Sequence, residues 1–391
     1  MDRRTEPVEA GQPAVPDVPV PASGFQGQSI GASASSVTGK RIVVVTGAGG
    51  FVGGHVARTL AAAGYQVRGL VRRMPRVDPA DPPIEWRFGD LRDPDARMRA
   101  IEGAWGVAHC GGWVNLASDH RGEAWAVNVE ATRGLLADCV VAGVERFVYT
   151  STLQTLAAGT AECPADEETP WNLDRVRSPY VETKREAERD VLAGQGGRLS
   201  TLVLCPGMVI GPRDSRPTST KVLLEMAKTP VAFLPAGGIP VIDAHVLALA
   251  HQRALESNEA GRRFALVGPY LSYREQAELV AQLTGRPRWI VTISDGWERP
   301  LSGFAGGVDR LVRGRGITLS AAAVAAGFLR LHVKGGRADV AFGLRHPPPI
   351  QSIYQALADF QRTGRAPWLK FRKCVERLAL EPEVAGELPA P

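Results

Sequence analysis

The chain has 391 residues, is 44% hydrophobic and 22% charged, and carries a formal net charge of +5. That composition is that of a soluble globular protein with a large core, organised as two domains or one large α/β unit with an appendage. The basic residues are dispersed apart from Arg72-Arg73 and Arg310 to Arg315, which excludes a nucleic-acid footprint. The five cysteines (Cys110, Cys139, Cys163, Cys205 and Cys374) form no C-x-x-C, which excludes a disulfide framework or a metal site and fits a reducing, cytoplasmic compartment.

Residues 1–38 are rich in Pro, Ser, Gly and Ala and hold no apolar run long enough for a signal-peptide core. They are expected to form a disordered tail, the alternative being a regulatory or targeting arm. From Arg41 onward, short β-branched runs alternate with stretches of helical period, the signature of βαβ units around a parallel sheet. Strands are expected at Arg41 to Val45, Gln66 to Val71, Glu85 to Phe88, Gly106 to Cys110, Arg146 to Thr150 and Leu199 to Leu204. Helices are expected at His55 to Ala63, Asn128 to Ala142 and Tyr180 to Leu192. The fold class is therefore α/β, a Rossmann-type doubly wound parallel sheet over residues 39–205.

Beyond Pro206 the pattern loosens, with Pro, Gly and Arg gathered in Cys205 to Pro217. Helical segments follow at Thr220 to Ala227, His245 to Glu256, Tyr273 to Leu283 and Ile350 to Arg362. Residues 206–380 are expected to supply a smaller C-terminal lobe, some of whose segments return to the sheet domain, and residues 381–391 a frayed terminus. The most apolar later stretch, Ile317 to Leu329, falls short of the roughly 20 residues of a spanning helix, so no transmembrane span is expected. It reads as a buried or partly buried helix, with peripheral membrane contact as the alternative because Arg310, Arg313 and Arg315 flank it.

Thr46-Gly47-Ala48-Gly49-Gly50-Phe51-Val52-Gly53 follows a Val-rich strand and opens a helix, the context that gives a glycine-rich run its meaning. In that context Gly47 permits the tight turn, Gly50 lets the backbone approach a pyrophosphate and Gly53 allows helix to pack on strand, with Phe51 and Val52 of the turn also against the cofactor and the N-terminus of the following helix facing the phosphates. An NAD site would carry a carboxylate after the second strand. This chain has Leu70-Val71-Arg72-Arg73 instead, and two guanidinium groups suit a 2′-phosphate. NADP is the expected cofactor, with NAD as the alternative.

Tyr180 and Lys184 are four residues apart on one helix and so share a face. A neighbouring cation favours phenolate and lowers the pKa of a tyrosine, which makes the pair a tunable proton donor. The pair follows a strand ending in Tyr149-Thr150-Ser151-Thr152, whose hydroxyls lie at the carboxyl end of the sheet, where such folds bind ligands. Trp113, Trp125 and Trp171 read as core or lobe packing more readily than as a pocket lining.

With these motifs the chain resembles an extended short-chain dehydrogenase/reductase of the NAD-dependent epimerase/dehydratase type, from about Lys40 to Arg365. Further carriers are Gly89-Asp90-Leu91, Asn128 to Thr132, Pro206-Gly207-Met208-Val209-Ile210-Gly211-Pro212-Arg213-Asp214 and Leu271 to Glu275. The resemblance implies that Tyr180 is the general acid or base, that Lys184 holds the nicotinamide ribose and depresses the Tyr180 pKa, and that Thr152 hydrogen-bonds the substrate oxygen. It implies that Asp90 and Leu91 flank the adenine, that Pro206, Gly207 and Met208 pass near the nicotinamide and that Asn128 braces the region of the fourth strand. Cofactor contacts are further expected at Cys110, Gly111 and Thr150, and a homodimer is compatible with the family.

The chain departs from the family pattern at three places. Cys110-Gly111-Gly112 replaces two alanines after His109, Cys205 replaces an arginine before Pro206, and Val241-Ile242-Asp243-Ala244-His245 keeps one carboxylate of a usual two. The strand at Val67 to Arg72 and the Gly211 to Asp214 run with Pro217-Thr218 are similar to dihydroflavonol-reductase-like and 3β-hydroxysteroid-dehydrogenase-like enzymes. They are also similar to a hopanoid-associated sugar epimerase group. The first resemblance implies a carbonyl or sterol substrate with net NADPH consumption, the second a nucleotide-sugar with a retained cofactor. A non-catalytic NADP-binding redox sensor is the third reading, and the intact Tyr-Lys pair speaks against it.

Overall fold

The computed structural model describes residues 40–114, 120–176, 178–215, 217, 220–286, 289–311 and 321–372, without the side chains of 308–311. The two termini, Cys374, Thr218, Arg313 and Arg315 therefore lie outside the described residues. Twelve strands are formed: β1 (Ile42–Thr46), β2 (Gln66–Val71), β3 (Glu85–Phe88), β4 (Gly106–His109), β5 (Arg146–Thr150), β6 (Ser200–Pro206), β7 (Met208–Ile210), β8 (Val231–Pro235), β9 (Gly238–Asp243), β10 (Arg262–Leu266), β11 (Tyr270–Ser272) and β12 (Trp289–Ile293). The helices through the first half are α1 (Phe51–Ala62), α2 (Pro94–Ile101), α3 (Arg121–Trp125), α4 (Ala131–Val141) and α5 (Pro179–Ala193). Those that follow are α6 (Thr220–Lys228), α7 (Ala244–Glu256), α8 (Tyr273–Thr284), α9 (Glu298–Leu311), α10 (Ala321–Phe328), α11 (Gly336–Phe342) and α12 (Pro349–Arg362).

The main sheet has seven strands in the order β10-β6-β5-β4-β1-β2-β3, and every pairing in it is parallel. Its central strands are covered on both faces, so Val43, Val44 and Val45, or Phe147, Val148 and Tyr149, are buried in succession rather than alternately. From β1 the chain runs outward through β2 and β3, then crosses back to β4 on the other side of β1. That reversal opens a crevice at the carboxyl ends of β1 and β4, the place where open α/β sheets hold ligands. One apolar layer packs α1, α7 and α11 on one face. A second, with residues of α2, α4 and α5, covers the other.

The expected strands and helices of the first 205 residues all form, β2, β3 and β5 with the expected bounds and the others with ends moved by at most four residues. A seventh strand, β10, was not expected. It opens on Arg262-Arg263, and only Phe264, Ala265 and Leu266 read as apolar. Its pairing with β6 completes the sheet from beyond residue 206, and α7 likewise returns to pack against α1. A third apolar layer joins α6, α8 and α12 to β7 and β9. β7 and β9 pair in parallel in a small sheet that β11 extends antiparallel, while β8 pairs with β12. These short strands carry Pro and Gly at their ends, which hid them from the sequence pattern.

The described part of the apolar stretch near residue 321 is α10, with Ala325 and Phe328 buried and Ala325 in the second layer, as a partly buried helix requires. No helix among the described residues is long and apolar enough to cross a membrane.

Helix α8 begins in a reciprocal cap: Ser272 Oγ accepts from Glu275 N at 3.1 Å while the Glu275 carboxylate accepts from Ser272 N at 2.7 Å. It ends on Gly285 at φ +65°. Ser272→Ala removes one half of the box and is expected to lower unfolding free energy by about 1 kcal/mol, read as a shift in urea midpoint at unchanged slope.

Candidate active site

Gly47, at φ +66°, is tight on two counts: a Cβ there would lie 2.8 Å from the backbone of Gly111. Gly50 N donates to Gly47 O at 2.8 Å, and a Cβ on Gly53 would run into Gly47 O. Helix α1 starts at Phe51 with no side-chain cap on its first N–H groups. Side-chain-free backbone and an uncapped helix start converge at the carboxyl end of β1, which fits a pyrophosphate.

Thr46 and His109 hold this turn to β4. Thr46 Oγ1 accepts from Gly111 N at 3.0 Å and lies 2.6 Å from His109 Nδ1, and His109 Nε2 lies 2.9 Å from Thr132 Oγ1 on α4. A proton shared along that chain needs a neutral ring, and burial duly pulls the His109 pKa down to about 3, with Lys184 adding to the effect. None of these three anchors was singled out from sequence, although His109 was the residue from which the Cys110-Gly111-Gly112 departure was counted.

The Arg72 and Arg73 side chains are exposed at the end of β2 and make no ion pair among the described residues. A Cβ on Gly49 would lie 3.7 Å from Pro75 Cβ, so this segment borders the glycine turn. Asp90 is turned to Arg92, whose Nη2 lies 2.8 Å away, and that partner together with the Arg92 backbone and Arg72 pulls its pKa down to about 2. Leu91 offers its carbonyl to Arg97 at 2.9 Å, and Arg97 in turn pairs with Asp138 of α4.

Ser178 caps α5 by accepting from Val181 N at 3.3 Å, and Pro179 sits in the first turn. Tyr180, Lys184 and Glu188 fall on its buried face, at 8%, 5% and 4% exposure. Three consecutive residues at the end of β5, 150–152, receive them. Lys184 Nζ donates to Thr150 O at 2.7 Å, Ser151 Oγ donates to Glu188 Oε2 at 2.8 Å, and the Thr152 side chain interacts with the Tyr180 phenol. The ammonium also stands 4.3 Å over the Tyr149 ring.

Burial lowers the Lys184 pKa to about 8, against the opposing influence of Cys110, Glu188 and Cys205. Burial raises Tyr180 to about 12, and the influence pulling it back is Thr152. This corrects the expectation that Lys184 depresses the phenol pKa: the ammonium is engaged two residues before Thr152, at the Thr150 carbonyl. The Thr150 hydroxyl is likewise spoken for, 2.7 Å from His251 Nε2 on α7 and 3.3 Å from Cys110 Sγ. Thr150 thus contributes its carbonyl rather than its side chain. Burial raises the Cys110 thiol to about 12, so it stays a neutral wall of the site.

Asn128 lies in a π-turn, Ala126–Glu130, between α3 and α4. Its amide grips both backbone groups of Trp113, at 2.7 and 3.0 Å, and donates to Thr183 Oγ1 on α5 at 3.0 Å. It therefore braces the segment after β4, as expected, and also the helix of the Tyr-Lys pair. A Cβ on Gly112 would lie 3.2 Å from Asn128 Oδ1 and 3.7 Å from Lys184 Nζ, so the absence of a side chain keeps the ammonium accessible from the glycine turn. Pro206 ends β6, Gly207 N donates to Leu266 O at 3.0 Å, and Met208 is buried at the start of β7.

The remaining expectations resolve into packing. Trp171 Nε1 donates to Gln154 O at 3.0 Å under the Arg185 guanidinium, and Trp125 is half-buried. Asp243 caps α7 at His245 N and accepts from Ser352 Oγ, while His245 packs edge-on against His55. The cation lost at Cys205 is supplied from the next strand: Arg263 of β10 stands 3.1 Å from Glu188, whose carboxylate the Cys205 thiol also approaches. Among the described residues no cluster of His, Cys, Asp and Glu could hold a metal.

The fold is that of nucleotide-binding α/β enzymes with a crevice at the strand reversal. The family model for the NAD dependent epimerase/dehydratase family matches residues 43–231. A Synechocystis sp. protein with a provisional dihydroflavonol 4-reductase name is 31% identical over 62% of this chain and 72% of its own length. The 2-alkyl-3-oxoalkanoate reductase of Stenotrophomonas maltophilia is 32% identical over 63% of this chain and 76% of its own. The crystal structure of gox2253 superposes with a TM-score of 0.71 at 29% identity, covering 84% of this chain and 99% of that one. The chain belongs to the NAD-dependent epimerase/dehydratase family of extended short-chain dehydrogenases/reductases and is an NAD(P)-dependent oxidoreductase.

Burial holds His55 and His109 at about 3 and His251 at about 4, all below the ordinary histidine value of about 6.5. The unfolded chain then binds protons that the folded chain refuses, so their contribution to stability is full above about pH 6.5 and is lost on acidification. The unfolding free energy, read from urea titrations, is expected to fall between about pH 6.5 and 4.5 by about 1.4 kcal/mol per pH unit for each histidine. His109→Gln should flatten that slope, and a stability that stays level over this range contradicts the assignment.

Proposed function

We propose that the protein is an NADP-dependent reductase that transfers hydride between nicotinamide and a carbonyl or alcohol carbon, with Tyr180 as general acid/base. The observation that carries this reading is the buried Tyr180-Lys184 face of α5, one helical turn long, aimed at residues 150–152 beside the glycine turn. A bound nicotinamide would supply the hydride. Tyr180, protonated at neutral pH, would give its proton to the developing alkoxide oxygen, and Thr152 would orient that oxygen. Lys184, near its own titration point, would hold the ribose and stabilise the phenolate left behind.

Gly47, Gly50, Gly53 and the start of α1 would carry the pyrophosphate, with Asp90 and Leu91 beside the adenine and Cys110, Gly111, Pro206, Gly207 and Met208 along the nicotinamide half. The unpaired guanidinium groups of Arg72 and Arg73 support NADP over NAD. Residues 39–205 would form the nucleotide-binding domain and residues 206–380 the substrate lobe, a division supported by the separate apolar layer around α6, α8 and α12. The relatives named as reductases favour an aldehyde, ketone or sterol substrate. Cytoplasmic residence and a homodimer belong to the same reading, Val140 and Val141 at the exposed end of α4 being candidate contacts.

The matching family also contains epimerases, so a nucleotide-sugar with a retained cofactor is the second reading. Oxidised NAD carried through purification, with no net NADPH oxidation against aldehydes, ketones and sterols, would decide for it. Tyr180→Phe is expected to cut turnover roughly 10²–10⁴-fold while the NADPH dissociation constant stays within a few-fold. Arg72→Asp is expected to weaken NADPH roughly 10–100-fold with little effect on NADH, measured by fluorescence titration. Equal losses for the two cofactors would remove the NADP assignment.

A further inference from the structure

Beneath the Tyr180-Lys184 pair lies a polar cluster that hydride transfer does not use. Glu188 follows Lys184 by one turn of α5, and residues four apart on a helix are within reach of an ion pair. In a dry setting that pair would be strong. It is not made. Lys184 Nζ goes to the Thr150 carbonyl, while the Glu188 carboxylate accepts from Ser151 Oγ at 2.8 Å, from Arg263 Nη1 at 3.1 Å and from the Cys205 thiol at 3.7 Å.

Arg263 is well placed to hold the carboxylate. It stands opposite Val203 of β6 in the parallel register, on the face of the sheet that α5 covers. Its Nε donates to Glu167 O at 2.9 Å, and the Glu167 carboxylate is in turn fixed by Ala265 N at 3.0 Å. The guanidinium is thus anchored from behind and presents one edge to Glu188. The short Cys205 side chain leaves the room for it.

We propose that Arg263 is a positioning residue for the Tyr180-Lys184 pair: by committing Glu188, it keeps that carboxylate from closing on Lys184 and leaves the ammonium to the Thr150 carbonyl and the nucleotide crevice. The inference rests on the reading of Tyr180 and Lys184 as the working pair. The other groups around Lys184 are His109 and Cys110 at the end of β4, Tyr149 on β5, Cys205 on β6, and Tyr180 on its own helix. None of the charges of β10 reaches it except through Glu188. Without Arg263 the freed carboxylate has Lys184 one helical turn away on the same buried face, and an ion pair there favours the charged lysine.

The test is competitive labelling of the full chain with acetic anhydride over the neutral to alkaline range, with the Lys184 peptide quantified by mass spectrometry. Arg263→Met is expected to raise the labelling midpoint of Lys184 by about one pH unit, and Glu188→Gln to lower it by a similar amount. Arg263→Met combined with Cys205→Arg, which returns a guanidinium to the cluster from β6, is expected to restore the native midpoint. A midpoint that is unchanged or lower in Arg263→Met overturns the proposal, as does a merely structural result in which the melting temperature falls and the midpoint stays. Should Arg263→Met not fold, Glu188→Gln decides, because a midpoint that fails to fall there is equally fatal. Labelling needs no turnover, so its failure is distinct from a failure of the reductase reading, which Tyr180→Phe tests by itself.

Discussion

The grip of residues 150–152 on helix α5 is the constraint from which the rest of the site follows. One backbone carbonyl and two hydroxyl side chains meet Lys184, Glu188 and Tyr180, so a helix that could otherwise rotate or slide is indexed to the end of β5. The three side chains span two helical turns on one buried face. Moving the helix by a single residue would turn that face away and strand a buried ammonium and a buried carboxylate, each costing several kcal/mol. Asn128 adds a second tie through Thr183, from the π-turn that leads into α4.

The glycine turn is held by an equally specific device. Gly47 and Gly111 touch through their backbones because neither carries a side chain, and the Thr46, His109 and Thr132 chain fixes β1, β4 and α4 at that point. A neutral imidazole with a partner on each ring nitrogen does this without adding charge where an anionic ligand must sit. Electrostatically the crevice is graded. Exposed arginines stand at its β2 end and a desolvated lysine at its β5 end, with an uncapped helix start between them.

The second half of the chain also builds the main sheet and its cover. Strand β10 completes the main sheet and brings Arg263 under α5, and α7 supplies His251 to the Thr150 side chain. The Asp243 cap of α7 is shared with Ser352 of α12, so α12 is tied to the helix that carries His251. The strand reversal opens the crevice, and these returning segments stiffen one of its walls.

How much of this was legible in the sequence depended on range. The glycine turn, the strand spans of the first half and the Tyr180-Lys184 spacing could be read directly, because turn chemistry and helical period are set by neighbours a few residues away. Even there, the electrostatic partner of Tyr180 was misread, since Thr152 and Lys184 compete for that role only once β5 and α5 are packed together. Strand β10 was hidden by its two leading arginines, one of which turned out to be a half-buried partner of Glu188 rather than a solvated charge. Glu188 could have been noticed one turn past Lys184, but nothing local says that its counter-ion lies 75 residues on. Sequence alone determined which residues could do chemistry and on what kind of element they sit. Strand order and helix docking decided which of them meet, because a buried charge takes its partner from whatever the sheet places beside it.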